Sequence, residues 1–213
     1  MQKNIKTYVD KEMCKKCGGA CCKQNGCVYL PQDFKNMNIN YLIEELNKGN
    51  ISISGQPAPA PFFTDAWTYI LLLRARNEDA PIVDLFTKGG PCKHLTENGC
   101  DLKRNEMPSL GKSVRPTRVG GPCKQMLEPV FMTDEWLKYQ NLIKRIIMKI
   151  TGEDFEKILI SQITERIDLI KEKVANDVEI TPMEQQAQSW YKNYIVNKPY
   201  YDIEEVISLT KKR

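Results

Sequence analysis

The chain of 213 residues has a single histidine, His94. This excludes HExxH and three-histidine zinc sites, and any Ser/His or Cys/His nucleophilic arrangement depends on that one ring. Long apolar runs are also missing. The most apolar stretch, Tyr69 to Leu73, is far too short to span a bilayer, and the opening MQKNIKTYVDKEMC has no apolar signal core. The expectation is a cytoplasmic protein with no membrane partner. No GxGxxG and no phosphate-binding glycine loop occurs, so a methyltransferase would need a donor site of another kind. The ferredoxin spacing CxxCxxC is absent, and so is CxxxCxxC, because Gln24 stands where a third cysteine would follow Cys17 and Cys21. That argues against a radical S-adenosylmethionine site. No internal repeat or low-complexity tract is found.

What remains is ordinary in bulk. Hydrophobic residues make up 41% and charged residues 27%, which excludes a disordered tail or a membrane protein. The net charge of +4 comes from an excess in residues 1–133, with 18 basic and 13 acidic groups, while 134–213 carry 13 and 14. So mild an asymmetry does not by itself argue for nucleic acid. The eight cysteines carry the information: Cys14, Cys17, Cys21, Cys22, Cys27, Cys92, Cys100 and Cys123. At about 4% of the chain they are too sparse for a disulfide scaffold. Clustered thiols in a cytosolic chain are better explained by metal or redox chemistry.

Two parts are expected, giving an α+β fold: a loop-rich, metal-stapled cysteine-cluster part with short strands over 1–132, and a helical C-terminal region over 133–213 packed on it. In the first, residues 38–48 read as a short helix stopped by Gly49. The alternating prolines of QPAPAPFF (56–63) exclude helix, and WTYILLLRA (67–75) reads as a buried strand. In the second, Thr133 is expected to cap a helix with the stripe Tyr139, Ile143, Ile146, Ile147 and Ile150, stopped by Gly152. A further helix over 154–174 carries Leu159, Ile163, Ile167, Ile170 and Val174. Thr181-Pro182-Met183-Glu184 forms a capping box opening a helix through Tyr194, and a fourth helix follows Asp202.

Cys14-Lys-Lys-Cys17-Gly18-Gly19 has the form of a metal knuckle: two thiols three apart reach one ion, and the glycines accept positive φ and turn backbone N–H groups toward sulfur. Cys21 and Cys22 extend it to CxxCxxxCC. Neighbouring side chains diverge, so either the pair serves two centres or one is a bystander. Lys15, Lys16, Lys23, Lys93 and Lys124 adjoin cysteines, where positive charge favours thiolate. Asn25-Gly26-Cys27 and Asn98-Gly99-Cys100 deliver a cysteine by the same turn dipeptide. For Cys92 and Cys100 to share a face, a three-residue loop Glu97-Asn98-Gly99 should pair Thr96 with Cys100. His94 is either a fourth ligand through its neutral imidazole or a turn histidine. Arg115-Pro116 and Arg118 offer cations near the centre or a structural turn.

CxxCxxxCC, a Leu-Pro-x-Asp step (Leu30 to Asp33), Cys92 with Leu95 and Cys100, and Arg115-Pro116 before a last cysteine together resemble the YkgJ-type cysteine-cluster family. That family is described as a zinc- or iron-chelating domain, with some members called iron–sulfur proteins or related to flagellin lysine N-methylase. The resemblance covers roughly 13–125 and implies the ligand set Cys14, Cys17, Cys21, Cys22, Cys92, Cys100 and Cys123. The family's last cysteine sits a few residues after Arg-Pro. Here Val119 holds that place and Cys123 follows later. Cys27 lies outside the resemblance and is expected to be dispensable, leaving seven or fewer ligands. An all-thiolate set suits zinc or an iron–sulfur cluster equally. The expected function is a metal-binding protein; the alternatives are a metal-dependent protein-modifying enzyme acting on a protein substrate, a zinc module on nucleic acid, and a thiol–disulfide switch.

Overall fold

The computed structural model describes residues 6–59, 67–87, 89–120, 123–127 and 129–190. In chain order the elements are α1 (Lys11–Cys17), α2 (Ile39–Asn47), β1 (Ile51–Pro59), β2 (Trp67–Ala75), β3 (Val83–Asp84), β4 (Leu95–Thr96), β5 (Gly99–Cys100), α3 (Ser109–Lys112), β6 (Val114–Arg115), β7 (Lys124–Gln125), α4 (Pro129–Leu137), α5 (Gln140–Thr151), α6 (Phe155–Ala175) and α7 (Pro182–Trp190). The fold is α+β. Among the described residues no helix is long and apolar enough to cross a membrane.

The apolar run of β2 makes it the central strand, with Ile70, Leu71 and Leu72 fully buried. It pairs antiparallel with β1 along its whole length, from Ile51↔Ala75 to Pro59↔Trp67. The described part of the proline-rich segment, residues 56–59, thus lies in a strand, and 60–63 lie outside the described residues. β3 pairs with β1 only at Ile53↔Val83 and Ser54↔Asp84, so beyond Ser54 one edge of β1 has no partner strand among the described residues. An edge without a partner is where strand proline is tolerated.

The other edge of β2 is filled by irregular chain. Tyr29 N–H donates to the Leu73 carbonyl at 2.9 Å and Ala75 N–H to the Cys27 carbonyl at 2.8 Å, around a bridge between Val28 and Arg74. Further along, the Gln140 side chain accepts from Leu71 N–H at 2.8 Å and donates to the Leu71 carbonyl at 2.8 Å. A buried amide thus stands in for a strand residue.

α2 forms as expected, with the Asn38 side chain accepting from Tyr41 N–H and Gly49 at φ 79° after it. Two helical expectations need correction. α4 starts at Pro129, not at a cap on Thr133, because proline's fixed φ suits the first helical position. Thr133 is buried within the helix. The chain then turns at Lys138-Tyr139, so the stripe on α5 is Ile143, Ile146 and Ile147, all fully buried. Gly152, at φ 75°, ends α5 as foreseen. On α6, Leu159, Ile163, Ile167 and Ile170 are buried, but Val174 is 54% exposed, since the last turn runs past the core.

The boundary between 132 and 133 falls inside α4, and one hydrophobic cluster joins Leu30, Leu71 and Leu73 to Trp136, Ile143 and Ile147. Fully buried Trp136 donates from Nε1 to the Tyr29 carbonyl at 2.9 Å, tying α4 to the segment that follows the first cysteines. The expected continuation through Tyr194 and the helix after Asp202 lie outside the described residues.

The expected capping box is present: Thr181 N–H donates to Glu184 at 2.9 Å and Glu184 N–H to the Thr181 hydroxyl at 3.3 Å. The same carboxylate meets Lys173 at 2.8 Å and Arg166 at 3.4 Å on α6. The Lys173 hydrogen bond first, and Thr181 N–H second, lower its pKa from 4.5 to about 2. A lowered folded-state value contributes stability above the ordinary pKa, and that contribution is lost as pH falls toward the folded value. Lys173 is partly exposed, so Glu184→Gln is expected to cost only about 1 kcal/mol at neutral pH. In urea denaturation the gap between variant and wild type should close as pH falls from 4.5 to about 2. A pH-independent gap would contradict this.

Candidate metal centre

α1 is capped by Asp10, whose Oδ1 accepts from Met13 N–H at 3.0 Å. It carries Cys14 and Cys17 one turn apart and ends on Gly18 and Gly19, at φ 63° and 65°, as the knuckle requires. A Cβ on Gly19 would lie 2.3 Å from Leu95 Cδ1, and its φ of 65° favours glycine where the β4–β5 hairpin packs on this turn. The Lys11 ammonium donates to the Cys100 carbonyl at 3.3 Å and also to the Leu102 carbonyl, holding α1 against the hairpin.

The register of that hairpin differs from expectation. Leu95 pairs with Cys100 and Thr96 with Gly99, leaving Glu97-Asn98 as the loop. The expected pairing of Thr96 with Cys100 assumed strand alternation back to Cys92. Instead Leu95 N–H closes a turn on the Cys92 carbonyl at 2.9 Å, so alternation does not reach Cys92. Both thiols nevertheless line one cavity.

Asn77 organises the next segment. Its Oδ1 accepts from Gly26 N–H at 2.8 Å and its Nδ2 donates to Asn25 Oδ1 at 2.9 Å. A Cβ on Gly26 would meet the Ala75 carbonyl at 1.8 Å, so this turn sits directly on the end of β2. Cys92 N–H donates to the Cys22 carbonyl at 2.8 Å. The Leu-Pro-x-Asp step has a plain structural role: Asp33 accepts from Leu30 N–H at 2.9 Å, from Ser109 N–H at 2.8 Å and from the Ser109 hydroxyl at 2.6 Å. It thereby sets α3 against the cluster, with Gly111 facing Cys27 Sγ.

These connections converge on a cavity of about 70 Å³ whose wall includes Cys14, Cys21, Cys22, Cys27, Cys92 and Cys100, together with His94. Cys17 and Cys123 lie just outside it. Cys123, held by the β6–β7 pairing, shares a hydrogen bond with Cys21. Arg115 and Arg118 are exposed and do not line the cavity. Cys27 does, which the motif-based reading set aside. The signal was the repeated Asn-Gly-Cys, whose first glycine proves to be a contact point that aims Cys27 inward.

Backbone N–H groups meet several sulfurs: those of Ala20, Gly120 and Gly19 meet Cys17, that of His94 meets Cys92, and that of Leu102 meets Cys100. Such donors favour thiolate. The Cys17 pKa is lowered, chiefly by Ala20 N–H. Cys21 is lowered through the hydrogen bond from Cys22, whose own value rises through that bond and through burial. Burial, then the neighbouring thiols, raises Cys14 to about 11 and Cys27 to about 12. Burial also raises Cys92, Cys100 and Cys123. Thiols that repel one another's ionisation are what a cation would relieve, and the donor set fits a soft ion. Among the described residues, no three His, Cys, Asp or Glu side chains stand close enough to hold an ion as they are. Ligation would therefore have to draw them inward.

In reduced, metal-free protein, iodoacetamide should label Cys17 and Cys21, the two thiols with lowered pKa, ahead of the others. Cys14 and Cys27 should resist until pH nears about 11 and about 12, as read by peptide mass mapping. Labelling of Cys27 ahead of Cys21 at neutral pH would contradict this order.

No family model, curated protein or solved structure matches the chain.

Proposed function

We propose that this protein binds metal, holding a thiolate-ligated zinc or iron–sulfur centre in the cysteine-lined cavity. The observation that carries the reading is the convergence of six cysteines from two distant stretches of chain, 14–27 and 92–100, on one small cavity. Burial of a thiol is common enough to need no ligand. Six on one wall, with backbone N–H groups aimed at sulfurs, is a pattern that thiolates explain and packing does not. The residues that would hold the centre are drawn from Cys14, Cys17, Cys21, Cys22, Cys92, Cys100 and Cys123, and the cavity wall adds Cys27. When bound, the ion or cluster would offset thiolate charge and cross-link the two stretches, which is folding free energy for loops with little regular structure. The resemblance to a chelating family points the same way. In a reducing compartment the thiols would stay reduced, and metal binding would be favoured over disulfides.

Anaerobic purification without chelator, followed by metal analysis and a visible spectrum, tests this. At least about one zinc, or iron with matching sulfide, is expected per chain. Cys22→Ser and Cys92→Ser should each remove most of it. Cys27→Ser should lower it too, because that thiol shares the cavity. Reduced protein containing neither zinc nor iron would overturn the reading.

A further inference from the structure

We propose that His94 is a ligand of the centre through Nε2, giving a mixed thiolate–imidazole site with Cys92 and Cys100 and a further thiol from the CxxCxxxCC stretch. This rests on the metal-binding reading above and goes beyond its all-cysteine ligand set. Only 8% of His94 is exposed. Its Nδ1 lies 3.0 Å from Asp101 Oδ1, and Asp101 N–H donates to the His94 carbonyl at 3.0 Å, so ring and carboxylate are held face to face across the hairpin. A carboxylate oxygen only accepts. The neutral ring therefore carries its proton on Nδ1, and Nε2 presents a bare lone pair.

That Nε2 is buried and has no hydrogen-bond partner, and the residue lines the cavity whose wall holds the cysteines. A buried ring nitrogen without a partner is uncommon in a folded protein. A carboxylate behind the ring and an open nitrogen in front are the arrangement by which proteins orient an imidazole toward a metal, fixing its tautomer and raising its basicity. The neighbouring geometry supplies the other donors. Cys92, two residues before His94, has its sulfur met by the His94 backbone N–H, and Cys100 lies next to Asp101 in the chain. Cys22 is tied to Cys92 by the backbone bond at 2.8 Å. Each thiol gives up its proton to solvent on ligation, whereas the imidazole has none to lose at Nε2.

The test uses the full chain purified anaerobically, with X-ray absorption at the edge of whichever metal it retains and metal affinity measured by competition with a chelator. One imidazole nitrogen is expected in a shell otherwise of sulfur. His94→Ala should weaken retention more than Asp101→Asn, which should weaken it about 10–100-fold. His94→Cys should restore retention and turn the shell entirely to sulfur. A wild-type shell of sulfur alone, or His94→Ala with unchanged affinity, would overturn the proposal while leaving metal binding intact. Wild-type protein that binds no metal would overturn both. Should His94→Ala fail to fold, the wild-type shell alone decides.

Discussion

A strand buried on both faces must have both edges paired, and in β2 the two edges are satisfied by different means. One takes β1 in full register. The other takes Cys27, Val28 and Tyr29 from the cysteine stretch and the amide of Gln140 from α5. The chain at Cys27, Val28 and Tyr29, at the end of the cysteine loop, is therefore fixed in place by a requirement of the hydrophobic core. Trp136 seals the same junction from α4 by bonding the Tyr29 carbonyl. The core thus reaches the end of the cysteine loop, and the division near residue 132 falls within α4.

Within the cluster, several polar side chains impose order. Asn77 holds the turn before Cys27, Asp33 holds α3, and Lys11 holds the hairpin. Each is a single side chain bridging segments that are far apart in sequence. The thiols themselves work against this order: most have raised pKa values through burial and mutual repulsion, so few ionise unaided. On the proposed reading a cation reverses that balance, and the same crowding that disfavours free thiolates favours bound ones.

Much of this was legible where a residue type has one dominant physical use. β2 was read to its ends from an apolar, β-branched run, and Gly18, Gly19, Gly49 and Gly152 take the positive φ expected of them. The Thr181–Glu184 capping box was likewise foreseen. Features that depend on tertiary pairing were not. β1 carries its prolines where it pairs with β2 alone, beyond the end of the short β3. The hairpin register depends on a turn at Lys93-His94 that alternation could not reveal. Gln140 and Asn77 look like ordinary surface amides until the edges they complete are known. For the site, spacing pointed to the Cys14–Cys17 knuckle and the family resemblance implied seven cysteines, while the inward placement of Cys27 and the open nitrogen of His94 depend on contacts to Ala75, Asn77 and Asp101.

The central claim is that thiolate ligation holds the cysteine segments together on a core that is stable without it. Hydrogen exchange by mass spectrometry, on anaerobically prepared protein before and after chelation under reducing conditions, tests this directly. Protection should be lost in residues 11–22, 92–101 and 109–120 and retained across β1, β2 and α5. Unchanged protection in the three cysteine segments, or equal loss throughout the chain, would contradict the account.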